Sequence, residues 1–183
     1  MRLFTAIDLP DEVLTNLERL LRTLKPAANI KWSPIENMHL TTKFIGEWPE
    51  ERLQEVAAVL GAMRSFAPIP IHVRNLGFFP NPHAPRVFWA GVNAPPDLAV
   101  LARETDEALG TLGVDPEKRA FSPHLTLARI KEPVPLQRLR ATIAGLDSLD
   151  FGRFVADRFF LYLSRMLPRG SVYTKLAEFP LAK

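Results

Sequence analysis

The chain has 183 residues, with 23 Lys or Arg against 20 Asp or Glu, a formal net charge of +3 at pH 7 and a pI near 9.4. It contains no cysteine, which excludes disulfides, iron–sulfur clusters, thiolate zinc sites and cysteine nucleophiles and fits a reducing cytoplasm. No apolar run is long enough for a membrane span. We therefore expect a single cytoplasmic domain over residues 1–183 with no membrane segment, and a monomer.

The first half is predicted to contain alternating strands and helices in a regular order. Strand patterns cover about 2–8, 30–32, 37–45 and 69–79. One helix pattern starts within Asp8–Glu12 and is stopped by Pro26, and a second covers about 50–64. The first helix starts after Pro10 with two acidic residues in its first turn, where they complement the helix dipole. Gly46 is expected to close the third strand.

The second half is predicted to repeat this order. Strands are expected over about 86–92 and 122–130, helices over about 96–112 and 135–144, and a closing antiparallel pair over about 151–166 and 171–181. These patterns indicate an α+β fold built by duplication. Two lobes, each a small antiparallel sheet with helices on its outer face, would then face a central cleft, which is the natural ligand site.

The tripeptide His-Leu-Thr occurs once in each half, at His39–Thr41 and at His124–Thr126. Alternate residues of a strand face the same way, so each motif offers an imidazole and a hydroxyl to one face of its strand. A histidine titrates near pH 6.5, so one imidazole can accept a proton while its partner donates one. Together with two hydroxyl donors, this set suits metal-free hydrolysis of a phosphodiester.

Other residues near the motifs are weaker candidates. Lys43 continues the alternation of the first motif and is expected on the same face, where it would stabilise phosphate charge. Arg129 suits bidentate phosphate binding, but strict alternation places it opposite His124 unless the strand ends or bulges there. His72 and His83 lack a threonine partner and are predicted to be structural or surface residues.

The residues that carry these motifs resemble the two-histidine (2H) phosphoesterases, and within them the LigT/ThpR-type RNA 2′,3′-cyclic phosphodiesterases. The resemblance covers nearly the whole chain. It is carried by MRLFTAIDLP at the start, WSPIENMHLTTKFIG and RAFSPHLTLAR around the motifs, and GSVYTKLAEFPL near the end. It implies hydrolysis of a 2′,3′-cyclic phosphate to a 2′-phosphate without metal or cofactor, and an associated 2′–5′ RNA ligase activity.

Carried over by residue, the resemblance makes His39 the proton donor and His124 the proton acceptor, although the sequence itself does not order these roles. It assigns phosphate binding to Thr41 and Thr126, and Arg129 matches the arginine that follows the second motif. Phe121 and Tyr173 fall in regions that line the cleft in relatives, where an aromatic ring can stack on a base. Thr42 departs from the aliphatic residue that relatives often have, and it is expected to face away from the site.

Three readings stay open at this point. The first is the metal-free phosphodiesterase, acting on RNA ends such as tRNA fragments or on small cyclic nucleotides. The second is a non-catalytic RNA or nucleotide-binding module of the same fold. The third is a hydrolase that uses the two histidines as metal ligands, although no His-x-His or His-Glu-x-x-His spacing supports it.

Overall fold

The computed structural model describes residues 1–181 and has the α+β architecture that the sequence indicates: two antiparallel sheets that face a central cleft, backed by helices. The strands are β1 (Arg2–Asp8), β2 (Lys31–Trp32), β3 (His39–Glu47), β4 (Ile69–Phe79), β5 (Val87–Asn93), β6 (His124–Arg129), β7 (Asp150–Ala156), β8 (Arg158–Leu167) and β9 (Gly170–Pro180). The α-helices are α1 (Asp11–Leu24), α2 (Leu53–Gly61), α3 (Pro96–Gly110) and α4 (Gln137–Ala144), with short 3₁₀ turns at Lys25–Ala27, Ile35–Asn37 and Glu50–Arg52.

The two sheets do not coincide with the two halves of the sequence. The four-stranded sheet has the order β3-β1-β8-β9, and the five-stranded sheet has the order β2-β6-β5-β4-β7. Strand β4 from the first half therefore completes the sheet of the second half, and β8 from the second half completes the sheet of the first. The halves exchange strands, so neither half forms its sheet alone.

The closing strand pair differs from the prediction. The stretch expected as one strand over 151–166 is two strands, because β7 pairs with β4 in one sheet and β8 pairs with β1 in the other. The chain passes between the sheets at Asp157, the single residue that separates them. No glycine or proline marks this crossing, and a lone aspartate, which is depleted in strands, was the sole signal.

The helices lie behind the sheets and bury their apolar faces in one continuous core. The buried residues of α1 are Val13, Leu17, Leu20, Leu21 and Leu24, and the helix packs against β7 and α4. Helix α3 packs against β3 and α2, so a helix of the second half supports the strand that carries the first motif. The core draws on both sheets, and no helix in the described part of the chain is long and apolar enough to cross a membrane.

The two motif strands lie in different sheets but next to each other. Cα atoms of β3 and β6 approach within 8 Å, so the two strands that carry the motifs meet where the two sheets adjoin. Strand β3 also runs further than expected, through Gly46 at a φ of 84° and on to Glu47. Glycine adopts this left-handed backbone at little cost, so the strand bends there without ending.

Candidate active site

A β-bulge after each His-Leu-Thr motif determines which side chains face the cleft. In β3 the register with β1 skips one residue between Lys43 and Thr41, and in β6 the register with β5 skips one residue between Ala128 and Thr126. The extra residue, Thr42 in the first case, breaks the simple alternation of faces. Both motif strands therefore change face at the same position.

The cross-strand partners identify the face of each residue in the second motif. His124, Thr126 and Arg129 pair with Gly91, Trp89 and Val87. These three partners alternate along β5 and so share one face, and directly opposed residues project to the same side. The bulge therefore brings Arg129 onto the face of His124, which answers the objection from strict alternation. Arg129 is exposed on that face.

The cross-strand partner of Lys43 likewise identifies the face on which Lys43 lies. It pairs with Thr5, which faces the core, whereas His39 and Thr41 pair with Asp8 and Ala6 on the cleft face. The Lys43 Nζ lies 2.6 Å from a carboxylate oxygen of Asp106 in α3 and donates to the Asp115 carbonyl at 2.8 Å. Its side chain is 4% exposed. The expectation that Lys43 shares the face of His39 is wrong, because the bulge at Thr42 reverses the alternation.

A comparison of the two halves of the sequence contains information about Lys43 and Phe44. The two histidines stand 85 positions apart, and at that offset Lys43 corresponds to Ala128 and Phe44 to Arg129. A buried alanine at the equivalent position indicates that Lys43 is no part of a paired site. Phe44, which was not among the predicted site residues, lies on the cleft face beside Phe4 and is 64% exposed.

Both imidazoles are held in the same way by the backbone just before them. His39 Nδ1 lies 2.7 Å from the carbonyl oxygen of Asn37, and His124 Nδ1 lies 2.8 Å from the carbonyl oxygen of Ser122. A carbonyl only accepts hydrogen bonds, so each Nδ1 carries a proton and each Nε2 keeps its lone pair in the neutral ring. The nitrogen of each histidine that can exchange a proton with a ligand is therefore Nε2. For His39, this atom lies 2.9 Å from Thr41 Oγ1.

Asn37 also ties the first imidazole to the distant hairpin. Its carbonyl accepts from His39, and its side-chain amide donates to the Ser171 carbonyl in β9 at 2.9 Å. One residue thus links the 3₁₀ turn before the first motif to the β8–β9 hairpin. It was not among the predicted site residues, and its position two residues before the histidine was its sole sequence signal.

The first imidazole rests in an aromatic wall on the cleft face of the four-stranded sheet. Its ring stacks on Phe4 with centroids 4.8 Å apart and meets the ring of Tyr173 edge-on at 5.2 Å, with Tyr162 at 6.1 Å. Ala6 is fully buried in the same cluster as Phe4 and Tyr162. Tyr173, expected to line the cleft, therefore lies against His39 itself.

Burial and nearby polar and charged groups shift the pKa of His39 in opposite directions. Burial lowers the pKa of its imidazole, and the Asn37 carbonyl and the Asp8 carboxylate each act to raise it. The Asp8 carboxylate also accepts a hydrogen bond from Tyr162 and lies 2.5 Å from Lys175 Nζ. Burial together with that hydrogen bond raises the pKa of the Tyr162 phenol. The free site therefore favours neutral His39 at pH 7.

The second imidazole has a different support. Phe79 meets the His124 ring edge-on at 5.2 Å and packs on Trp89 at 5.3 Å. The indole covers Gly77, where a Cβ would lie 2.1 Å from a ring carbon, so this close approach requires glycine. Phe121 lies elsewhere, in a cavity beside Pro123, which immediately precedes the second motif.

Neither of the remaining histidines lies on a strand that carries a motif. His72 in β4 pairs with Asp150 at 3.0 Å, and His83 lies exposed in the loop before β5. Within residues 1–181, no three side chains of the His, Cys, Asp or Glu type cluster closely enough to hold a metal ion.

The position of Lys43 predicts a structural role for its charge. Lys43→Met leaves Asp106 without its partner, and we expect the free energy of unfolding to fall by about 3 kcal/mol, as for other buried pairs that lose one member. Urea denaturation measures this loss. Arg22→Ala, which removes an exposed ion pair with Glu18, is the matched control and should cost less than about 0.5 kcal/mol. Unchanged stability together with a loss of phosphate binding would indicate that Lys43 is a phosphate-binding residue of the site.

The burial of His39 predicts its titration. In the free protein the NMR resonances of the His39 ring should titrate below pH 6.5, because burial disfavours the imidazolium. Inorganic phosphate should move this pKa upward, since a bound anion favours the charged ring. In Asp8→Asn the pKa should fall further, because the Asp8 carboxylate raises it. A free-protein pKa above 6.5 contradicts this account.

Comparison with known proteins agrees with the duplicated architecture. The model of a family described as LigT like Phosphoesterase matches twice, at residues 7–89 and 91–173. RNA 2′,3′-cyclic phosphodiesterases of Methanothermobacter thermautotrophicus and Methanocaldococcus jannaschii are 34% and 36% identical, over 99% and 97% of this chain and 99% of each relative.

Solved structures give the same result. A crystal structure of TT0787 of Thermus thermophilus superposes with a TM-score of 0.83 at 34% identity, covering 99% of this chain and 98% of that one. Escherichia coli LigT complexed with NADP⁺ superposes with a TM-score of 0.80 at 26% identity, covering 100% and 98%. The chain thus belongs to the LigT-like phosphoesterases of the 2H family.

Proposed function

We propose that this protein hydrolyses RNA 2′,3′-cyclic phosphate ends to 2′-phosphomonoesters, with His39 as proton donor and His124 as proton acceptor. The observation that carries this proposal is the matched setting of the two rings. Each is held through Nδ1 by a backbone carbonyl two residues before it, which leaves Nε2 as the nitrogen that can transfer a proton, and each lies on one of two adjacent motif strands. The names of the relatives support the choice of substrate.

The reaction needs one proton taken and one proton given. Water attacks phosphorus as its proton passes to Nε2 of His124, and the bond from phosphorus to the 3′-oxygen breaks as Nε2 of His39 protonates that oxygen. The product keeps the phosphate on the 2′-oxygen. General acid–base catalysis of this kind contributes about 10²–10⁴-fold per group. No step calls for a metal ion.

Thr41, Thr126 and Arg129 are proposed to hold the phosphate. The two hydroxyls lie on the same faces as the two imidazoles and can donate to non-bridging oxygens as charge develops on them. Arg129 adds a guanidinium on the His124 side, where a fork of N–H donors matches a phosphate. Phe44 occupies the equivalent place on the His39 side, which makes the pseudo-symmetric site cationic on one side and aromatic on the other.

The lowered pKa of His39 fits a donor that is charged by its substrate. Before binding, burial favours the neutral ring; the phosphodiester anion then favours the imidazolium. A buried imidazolium is also a stronger acid than an ordinary one, so it gives its proton readily to the leaving oxygen. The same groups in the same roles give 2′–5′ ligation when a 5′-hydroxyl attacks the cyclic phosphate in place of water.

Removal of either imidazole tests the catalytic assignment. We expect His39→Ala and His124→Ala each to lower kcat by about a hundredfold or more on an oligonucleotide ending in a 2′,3′-cyclic phosphate, in the presence of a strong chelator. RNA affinity should change little, because the threonines and Arg129 remain. Near-normal turnover in either variant contradicts the catalytic role of that histidine. Absence of turnover in the wild type leaves a binding module as the better explanation, and wild-type activity abolished by chelator leaves a metal-dependent hydrolase.

An activated leaving group tests the order of the two roles. A p-nitrophenyl phosphodiester releases an anion that needs no protonation, so loss of the donor should matter little. We expect His39→Ala to stay within about tenfold of wild type on this substrate, while His124→Ala loses about a hundredfold. The reverse pattern would exchange the two roles.

A further inference from the structure

Two cavities of nearly equal size flank the motif histidines, and the internal duplication relates them. The first has a volume of about 490 Å³ and the second about 510 Å³. At the offset of 85 positions that joins His39 to His124, four lining residues of the first cavity map onto lining residues of the second. Leu9, Leu14, Glu36 and Met38 correspond in order to Ala94, Ala99, Phe121 and Pro123.

The chemistry of the two cavities has diverged. The first is lined by His39 itself and by the charged side chains of Asp8, Glu36 and Lys175. The second has no charged lining residue, and Asn93 supplies its one polar side chain; its other lining residues are valine, leucine, alanine, proline and Phe121. An aromatic face, apolar walls and a single amide suit a nucleobase, which stacks on the ring and bonds to the amide with its polar edge.

The second cavity lies beside the second imidazole. Pro123 of its wall is the residue before His124, and Asn93 alternates along β5 with Gly91, the cross-strand partner of His124. Asn93 therefore projects from the same sheet face as the His124 ring. A base held in this cavity places its ribose near the proton acceptor.

We propose that the second cavity binds the base of a nucleoside whose free 5′-hydroxyl attacks the cyclic phosphate in place of water. This inference rests on the proposed function, in which His124 accepts the proton of the nucleophile. A new bond forms between the 5′-oxygen and phosphorus, and the bond from phosphorus to the 3′-oxygen breaks. The hydroxyl proton passes to His124 and a proton from His39 goes to the 3′-oxygen, so no further reactant is needed.

The test is a competition between water and a nucleoside. The wild type is incubated with cytidine 2′,3′-cyclic phosphate and millimolar adenosine, and both the 2′-monophosphate and the 2′–5′ dinucleotide are quantified. Ala99→Trp fills the cavity from an exposed position of α3. Glu107→Trp, an exposed change on the same helix that does not line the cavity, is the matched control.

We expect the ratio of dinucleotide to monophosphate to fall about tenfold or more in Ala99→Trp, as for loss of one stacked base, and to stay at the wild-type value in Glu107→Trp. Phe121→Ala should lower the same ratio, which covers the case that Ala99→Trp fails to fold. Hydrolysis without any dinucleotide in the wild type, or an unchanged ratio in both cavity variants, overturns the cavity assignment alone. Absence of hydrolysis in the wild type overturns the proposed function itself.

Discussion

One inserted residue after each His-Leu-Thr motif determines what this cleft contains. Without the bulge at Thr42, the ammonium of Lys43 would lie beside His39, and without its counterpart at Leu127, Arg129 would lie in the core. The bulges instead send Lys43 to a buried partner on α3 and Arg129 to the face of His124. The imidazole and the hydroxyl of each motif precede the bulge in their strand, so simple alternation predicts the face that they occupy. The residues after the bulge occupy the face opposite to the one that simple alternation predicts.

The histidines have a common backbone support but different surroundings. Each ring is oriented by a carbonyl two residues earlier, yet His39 lies among aromatic rings beside Asp8, and His124 leans on Phe79 and the indole of Trp89. Burial acts to neutralise the first ring. Duplication thus supplied two equal scaffolds, and the side chains around them differ, with burial lowering the pKa of the first ring.

Much of the fold and of the candidate site could be predicted from the sequence, because similar local patterns occur in both halves and support each other. The motif strands, the flanking helices and the α+β class follow from apolar periodicity and turn residues, and the pair His39 and His124 follows from duplication. The bulges could not be predicted, since their inserted residues are ordinary strand formers. The crossing at Asp157 was not predicted for a similar reason. Long-range pairing, with β4 before the crossing and with β1 after it, divides the two strands, and no local turn residue marks the division.

The exchange of β4 and β8 between the halves has a consequence for the integrity of the molecule. The proline-rich segment between β4 and β5 is the exposed connection between the two repeats. A protease that cuts there leaves an amino-terminal fragment that holds an inner strand of the five-stranded sheet, and a carboxyl-terminal fragment that holds an inner strand of the four-stranded one. The pieces are interlocked by backbone hydrogen bonds on both sides, so severing the covalent link would not by itself set them free.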